Sequence, residues 1–227
     1  MQVWGVRLIS ADLEQNYNAD LLTVVDPSLQ EEIRRFRRRE DAVRKLTGDR
    51  LARLVVGRML GIPGWRLDFA VNAYGKPFLA ADTDIEFNLS HSGDWVVCAV
   101  DEQPVGIDVE QVLPVEQELM ENCFSAPEIQ WVRAGGSAWL TRFYQIWTLK
   151  ESYIKALGQG MSLPLPSFSL LRQDDERWTL QSAARKTDWF FRQYSLPGGY
   201  ELAVCGKDSG FSGELTQLTL KELLADE

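Results

Sequence analysis

The sequence predicts an α+β protein made of two similar halves that meet near residue 105. Helix-period and strand-period stretches both run through the chain. A faint internal echo sets a long helix, then strands, then Trp95-Val-Val-Cys-Ala-Val100 in one half against Tyr200-Glu-Leu-Ala-Val-Cys205 in the other. The length of 227 residues suffices for one large domain or two small ones with substantial cores. The halves are drawn as residues 1–104 and 105–227, on a likeness too faint to establish a repeat by itself.

Residues 2–9 alternate like a strand. Ile33, Phe36, Ala42, Val43, Leu46, Leu51, Leu54, Val55 and Met59 predict one or two amphipathic helices from Pro27 to about Gly61. Gly61 to Gly64 is a break, Arg66 to Ala70 a short strand, and Tyr74-Gly-Lys-Pro77 a turn. Phe87 and Leu89 open a strand that Ser90 to Gly93 is expected to interrupt before Trp95 to Val100 resumes it. A further strand spans Val105 to Glu110. A helical region from Glu116 runs into Phe124-Ser-Ala-Pro-Glu128, and Gly135-Gly136 separates it from a helix over Trp139–Leu157. Strands follow at Phe168–Leu171, Trp178–Leu180, Phe190–Tyr194 and Glu201–Val204. Leu215 to Leu224 reads as a strand and a short helix.

Composition removes several function classes. The longest apolar run, Trp95 to Val100, is too short to span a membrane. The N-terminus lacks the pattern of a signal peptide. Cys98, Cys123 and Cys205 are odd in number and widely spaced, so no disulfide framework or zinc site is suggested. With one histidine, His91, a His-rich transition-metal site is not expected. A cytoplasmic enzyme or binding protein is the default. The net charge of −9 conceals a basic island: ten Arg and Lys against three acids between Arg34 and Arg58, or +7, leaving −16 elsewhere. One such island suits a local anion or an acidic partner better than a nucleic-acid backbone. A solvated, arginine-rich helix face is the competing reading.

Three stretches could carry chemistry. In Val105-Gly-Ile-Asp-Val-Glu110 the strand period puts Asp108 and Glu110 on one face, about 7 Å apart, close enough to share a divalent ion. In Trp147-Thr-Leu-Lys-Glu-Ser-Tyr-Ile-Lys155 the helical projection sets Glu151 inside the apolar stripe between Trp147 and Ile154, flanked by Lys150 and Lys155. Three acids without His ligands suit oxygen-bound Mg²⁺, which is usually completed by substrate phosphates. The alternatives are the polar face of a half-buried strand and a solvated Glu–Lys pair. Ser90-His-Ser92 has no nucleophile elbow, and neighbouring residues on an extended chain face opposite ways, so a hydrolase reading fails. His91 is a structural or phosphate-donor histidine. Lys76, held between Gly75 and Pro77, suits a fixed charge for a phosphate or an exposed turn.

These motifs, with Phe87-Asn-Leu-Ser-His-Ser92 and Phe124-Ser-Ala-Pro-Glu128, stand in the order and spacing of one family. The chain resembles, over nearly its whole length, the surfactin-synthetase-activating (Sfp) type of 4′-phosphopantetheinyl transferase. The resemblance implies two α+β halves related by a pseudo-twofold, with the active site in the cleft between them. It also implies transfer of the phosphopantetheine arm of coenzyme A to a serine of an apo carrier protein, releasing adenosine 3′,5′-bisphosphate, by a monomer.

By motif, Asp108, Glu110 and Glu151 are then the Mg²⁺ ligands. Glu151, directly or through a water, is the base for the carrier serine. Glu128 is a second base candidate. Lys155 and Lys150 neutralise phosphates, and Lys76, Pro77, Ser90 and His91 hold the nucleotide. The segment around Phe124 lies near the carrier groove. One departure stands out: where family members can carry lysines for the 3′-phosphate, this chain has Leu29 and Glu32. Arg44 and Lys45 are expected to take over. A Mg²⁺-dependent phosphohydrolase or a non-catalytic coenzyme A or carrier-binding module are the other readings. The first needs no carrier, and the second could dispense with Glu151.

Overall fold

The structure, a computed structural model, describes residues 1–10, 12, 27–182 and 188–225. Strand β1 (Gln2–Arg7) is followed by helices α1 (Pro27–Ile33) and α2 (Arg39–Leu60), the hairpin β2 (Phe69–Val71) and β3 (Pro77–Leu79), then β4 (Glu86–Ser92) and β5 (Trp95–Asp101). The second half opens with β6 (Val105–Gln111). Helices α3 (Gln117–Cys123), α4 (Ala126–Arg133) and α5 (Trp139–Leu157) come next, then the hairpin β7 (Phe168–Arg172) and β8 (Trp178–Ser182), and β9 (Phe190–Leu196) and β10 (Tyr200–Gly206). Strand β11 (Thr216–Leu218) and helix α6 (Leu220–Ala225) end the chain.

The two halves share their connectivity. Each runs from a first strand through a long helix and a small hairpin to two more strands. The sheet orders match as well: β1-β5-β4 in one half and β6-β10-β9 in the other. The last segment breaks the division at residue 105. Strand β11 pairs in parallel with β1, and α6 buries Leu220 and Leu223 in the core beneath α2. Edge pairing with β1 satisfies backbone groups that β1 would otherwise expose.

Burial explains the sequence of β5. Val96, Cys98 and Val100 face the core under α2, whereas Trp95, Val97 and Ala99 face Val105, Ile107, Val109, Leu202 and Val204 of the second sheet. With both faces covered, every residue of the strand is buried, so it reads as an unbroken apolar run. The layers are therefore helix, sheet, sheet, helix, with α5 covering the far face of β6 and β10. Among the described residues no helix is long and apolar enough to cross a membrane.

The expected interruption at Ser90 does not occur. Strand β4 continues through Ser90-His-Ser92, and the chain reverses at Gly93, whose φ of +52° suits glycine. The polar residues fit the strand because they have partners. Strand β6 is the edge of its sheet, and three of its outward N–H groups are capped by side chains of β4. Asn88 Oδ1 accepts from Ile107 N at 2.9 Å, Ser90 Oγ from Val109 N at 3.3 Å, and Ser92 Oγ from Gln111 N at 3.1 Å. This side-chain ladder joins the two sheets.

Gly106 sets how closely α5 crosses β6. A Cβ there would sit 2.0 Å from Ser152 O and 2.4 Å from Ala156 N, both backbone atoms of α5. Gly106→Ala is therefore expected to push α5 outward and cost about 1–3 kcal/mol or more. Chemical denaturation would read this as a lower midpoint, and an unchanged midpoint would mean that the helix yields freely.

Candidate active site

The cleft lies where β4, β6, α2 and α5 converge. It holds about 650 Å³ and is lined by Ser90, His91, Asp108, Glu110, Trp147, Glu151 and Lys155, with Arg44, Lys45 and Leu29 toward α2 and Pro77 at the hairpin. Trp147, Glu151 and Lys155 stand four residues apart, so one stripe of α5 faces the cleft. Asp108 and Glu110 face α5 from β6, brought close by the Gly106 contact.

Lys155 is the hub. Its Nζ lies 2.5 Å from Asp108 Oδ1 and 2.9 Å from Ser90 Oγ, and Ser90 Oγ also donates to Asp108 Oδ1 at 3.0 Å. Asp108 is buried, and its Oδ2 has no hydrogen-bond partner among the described residues. An orphaned buried carboxylate oxygen is costly, and a donor or a cation placed there would relieve it. Ser92 Oγ donates to Glu110 Oε2 at 2.8 Å.

Burial raises the pKa of all three acids, and the Asp108 charge adds to it at Glu110 and Glu151. Burial lifts Asp108 above the ordinary aspartate value against the pull of Lys155 and the Ser90 hydrogen bond. Burial and then the Asp108 charge lift Glu110, opposed by Ser92 and Lys155, with a smaller upward push from Glu151. Burial and Asp108 likewise lift Glu151 against Lys155. Even so, among the described residues no three His, Cys, Asp or Glu side chains are gathered tightly enough to form a ready metal cage. The cluster is one of hard oxygen donors with a lysine among them, which suits Mg²⁺ and not a softer ion.

At the other end of the cleft, burial, with Arg44 and Lys155 adding to it, pulls His91 below the usual histidine pKa. Arg44 is held by Asp41 at 2.5 Å and by Gly93 O at 2.9 Å. Lys45 is half-buried and pairs with Glu32 at 3.2 Å. The rest of the basic island is dispersed. Arg53, for example, ties Asp49 to the carbonyls of Gly64 and Leu67.

Three sequence expectations need correction. Lys150 does not reach the cleft: its side chain is 0% exposed and its Nζ contacts both Glu128 oxygens at 2.8 Å and Phe168 O at 2.7 Å. Glu128 is no base candidate either. It too is 0% exposed, and Ser125 N, Ser125 Oγ, Leu170 N and Lys150 occupy its oxygens. The physical reason is rotation: Lys150 lies about 100° round the helix from Glu151, on the side facing α4 and β7. Lys76 turns from the cleft to Glu86 at 3.5 Å and Val105 O at 3.3 Å, bracing the start of β6. The sequence reading also missed Asn88, Ser92 and Gly106 as parts of the site's frame. The signal was present as Asn88-x-Ser90-x-Ser92, a polar period of two.

Two family models match consecutive stretches: the 4′-phosphopantetheinyl transferase N-terminal model over residues 14–103 and the 4′-phosphopantetheinyl transferase superfamily model over residues 104–205. The 4′-phosphopantetheinyl transferase Sfp of Bacillus subtilis (strain 168) is 36% identical over 225 residues, which is 99% of this chain and all of that protein. The chain belongs to the Sfp-type 4′-phosphopantetheinyl transferases. A second 4′-phosphopantetheinyl transferase of Bacillus subtilis is 37% identical over 228 residues, and the transferase gsp of Aneurinibacillus migulanus 36% over 186. In this transferase the superfamily match ends at residue 205, before the β11–α6 tail that returns to the first sheet.

Proposed function

We propose that this transferase binds coenzyme A in the cleft and passes its phosphopantetheine arm to a serine of an apo carrier protein. The carrying observation is the Lys155–Asp108–Ser90 cluster, set among acids at the junction of the two halves. The serine oxygen attacks the phosphorus that bears the arm, the bond to the departing phosphate breaks, and adenosine 3′,5′-bisphosphate leaves. Glu151 takes the serine proton, directly or through a water that it orients. Lys155 offers positive charge to the leaving phosphate. His91 and Ser90 hydrogen-bond the phosphates. Asp108, Glu110 and Glu151 would hold Mg²⁺, which supplies charge neutralisation when bound. Both halves of one chain contribute residues, which supports a monomer.

Incubation of apo carrier domains with coenzyme A and Mg²⁺ should add the mass of one phosphopantetheine. No gain on several carrier classes, with a known transferase succeeding in parallel, overturns the proposal. Coenzyme A hydrolysis without a carrier would favour a phosphohydrolase.

For the 3′-phosphate, Arg44 and Lys45 are the cleft cations beside Leu29, whereas Arg53 is tied to Asp49 and Lys155 to Asp108. A charge-assisted contact of this kind is worth about tenfold in affinity where solvent reaches the pair. Lys45→Ala is thus expected to shrink the preference for coenzyme A over dephospho-coenzyme A about tenfold without altering KM for the carrier. Weakened carrier recognition alone would assign Lys45 to the protein partner.

A further inference from the structure

We infer that Ser92 is a positioning residue for the transfer reaction: its hydroxyl, aimed by the Gln111 amide, fixes the Glu110 carboxylate in the cleft. A serine hydroxyl has one proton to give and lone pairs to receive. Here the Gln111 N–H enters at 3.1 Å, and the proton goes to Glu110 Oε2 at 2.8 Å. The same device recurs two residues earlier, where Ser90 accepts from Val109 N and donates to Asp108 Oδ1. Two residues earlier again, Asn88 accepts from Ile107 N. There the facing position on β6 is Gly106, which has no carboxylate to hold, and the β4 residue is an amide instead of a hydroxyl. The ladder therefore places a hydroxyl opposite each β6 acid.

Ser92 does not line the cleft, whereas Ser90, Asp108 and Glu110 do. It therefore acts through Glu110, restricting a side chain that would otherwise sample several rotamers. This inference rests on the reading of Glu110 as a metal ligand. Loss of such an outer partner typically lowers metal affinity 10- to 100-fold.

The test uses the full chain with saturating coenzyme A and Mn²⁺ as the probe, free Mn²⁺ being followed by electron paramagnetic resonance. Ser92→Ala is expected to weaken Mn²⁺ binding about tenfold. The Mg²⁺ concentration for half-maximal turnover should rise in parallel, with the carrier KM little changed and the unfolding midpoint lowered modestly, since Gln111 N loses its acceptor. Ser92→Thr, which keeps the hydroxyl, should restore binding. In a Glu110→Gln background, Ser92→Ala should add no further loss. Wild-type affinity in Ser92→Ala, where Glu110→Gln is weakened, would overturn the inference and leave the metal reading standing. Wild-type affinity in both would overturn the metal reading of Glu110 itself. If Ser92→Ala fails to fold, Ser92→Thr against the isosteric Ser92→Val reads the same hydroxyl, and equal affinities there overturn the proposal.

Discussion

Glu151→Gln is expected to cut carrier modification by about 10²-fold or more while the protein stays folded. The change removes the proposed base and one metal ligand together. It leaves no buried donor unpaired, because Glu151 accepts no hydrogen bond among the described residues and is only half-buried. It also takes a negative charge from a cluster in which Asp108 already raises the Glu151 pKa. Stability should therefore hold or improve, as expected where a site is built at some cost to the fold. Turnover by intact mass and a urea midpoint separate the cases. Loss of the fold would make Glu151 a structural residue. Surviving turnover would leave deprotonation to a water, since Glu128 is sealed in the core.

Lys150→Met should act the other way, costing about 3–5 kcal/mol of stability. The Lys150–Glu128 pair has 0% exposure on both sides and ties the N-terminus of α4, the middle of α5 and the start of β7. Lys150 also lies over the Phe168 ring, 4.3 Å from its centroid. Burial pulls its pKa below the ordinary lysine value, and Glu128 opposes that pull. Without the ammonium, the Glu128 carboxylate is left charged and buried with only Ser125 and Leu170 to serve it. Adding Glu128→Gln should recover a good part of the loss, since an ion pair removed whole is much less costly than one broken. The measurement is urea unfolding of the single and double variants. A stable Lys150→Met protein with weakened coenzyme A binding would return Lys150 to the cleft.

The sequence by itself determined the elements and their order. The helix over Trp139–Leu157 and nearly every strand could be read from apolar period, because side-chain spacing is a local property. It also determined the family, since five ordered motifs constrain the whole chain. The acids Asp108, Glu110 and Glu151 were legible for the same reason: period two and period 3.6 each fix a face. What period cannot fix is which face meets which neighbour. That Glu151 and Lys155 open on the cleft while Lys150 is buried was decided by where β6 crosses α5, and the crossing is possible because Gly106 has no side chain. The serines of β4 looked like a break in a strand until β6 supplied an open edge for them to cap. The tail after residue 205 joined the first sheet because β1 had an unpaired edge. Each of these outcomes depends on a backbone group or surface far away in sequence, and only the assembled tertiary structure brings that partner within reach.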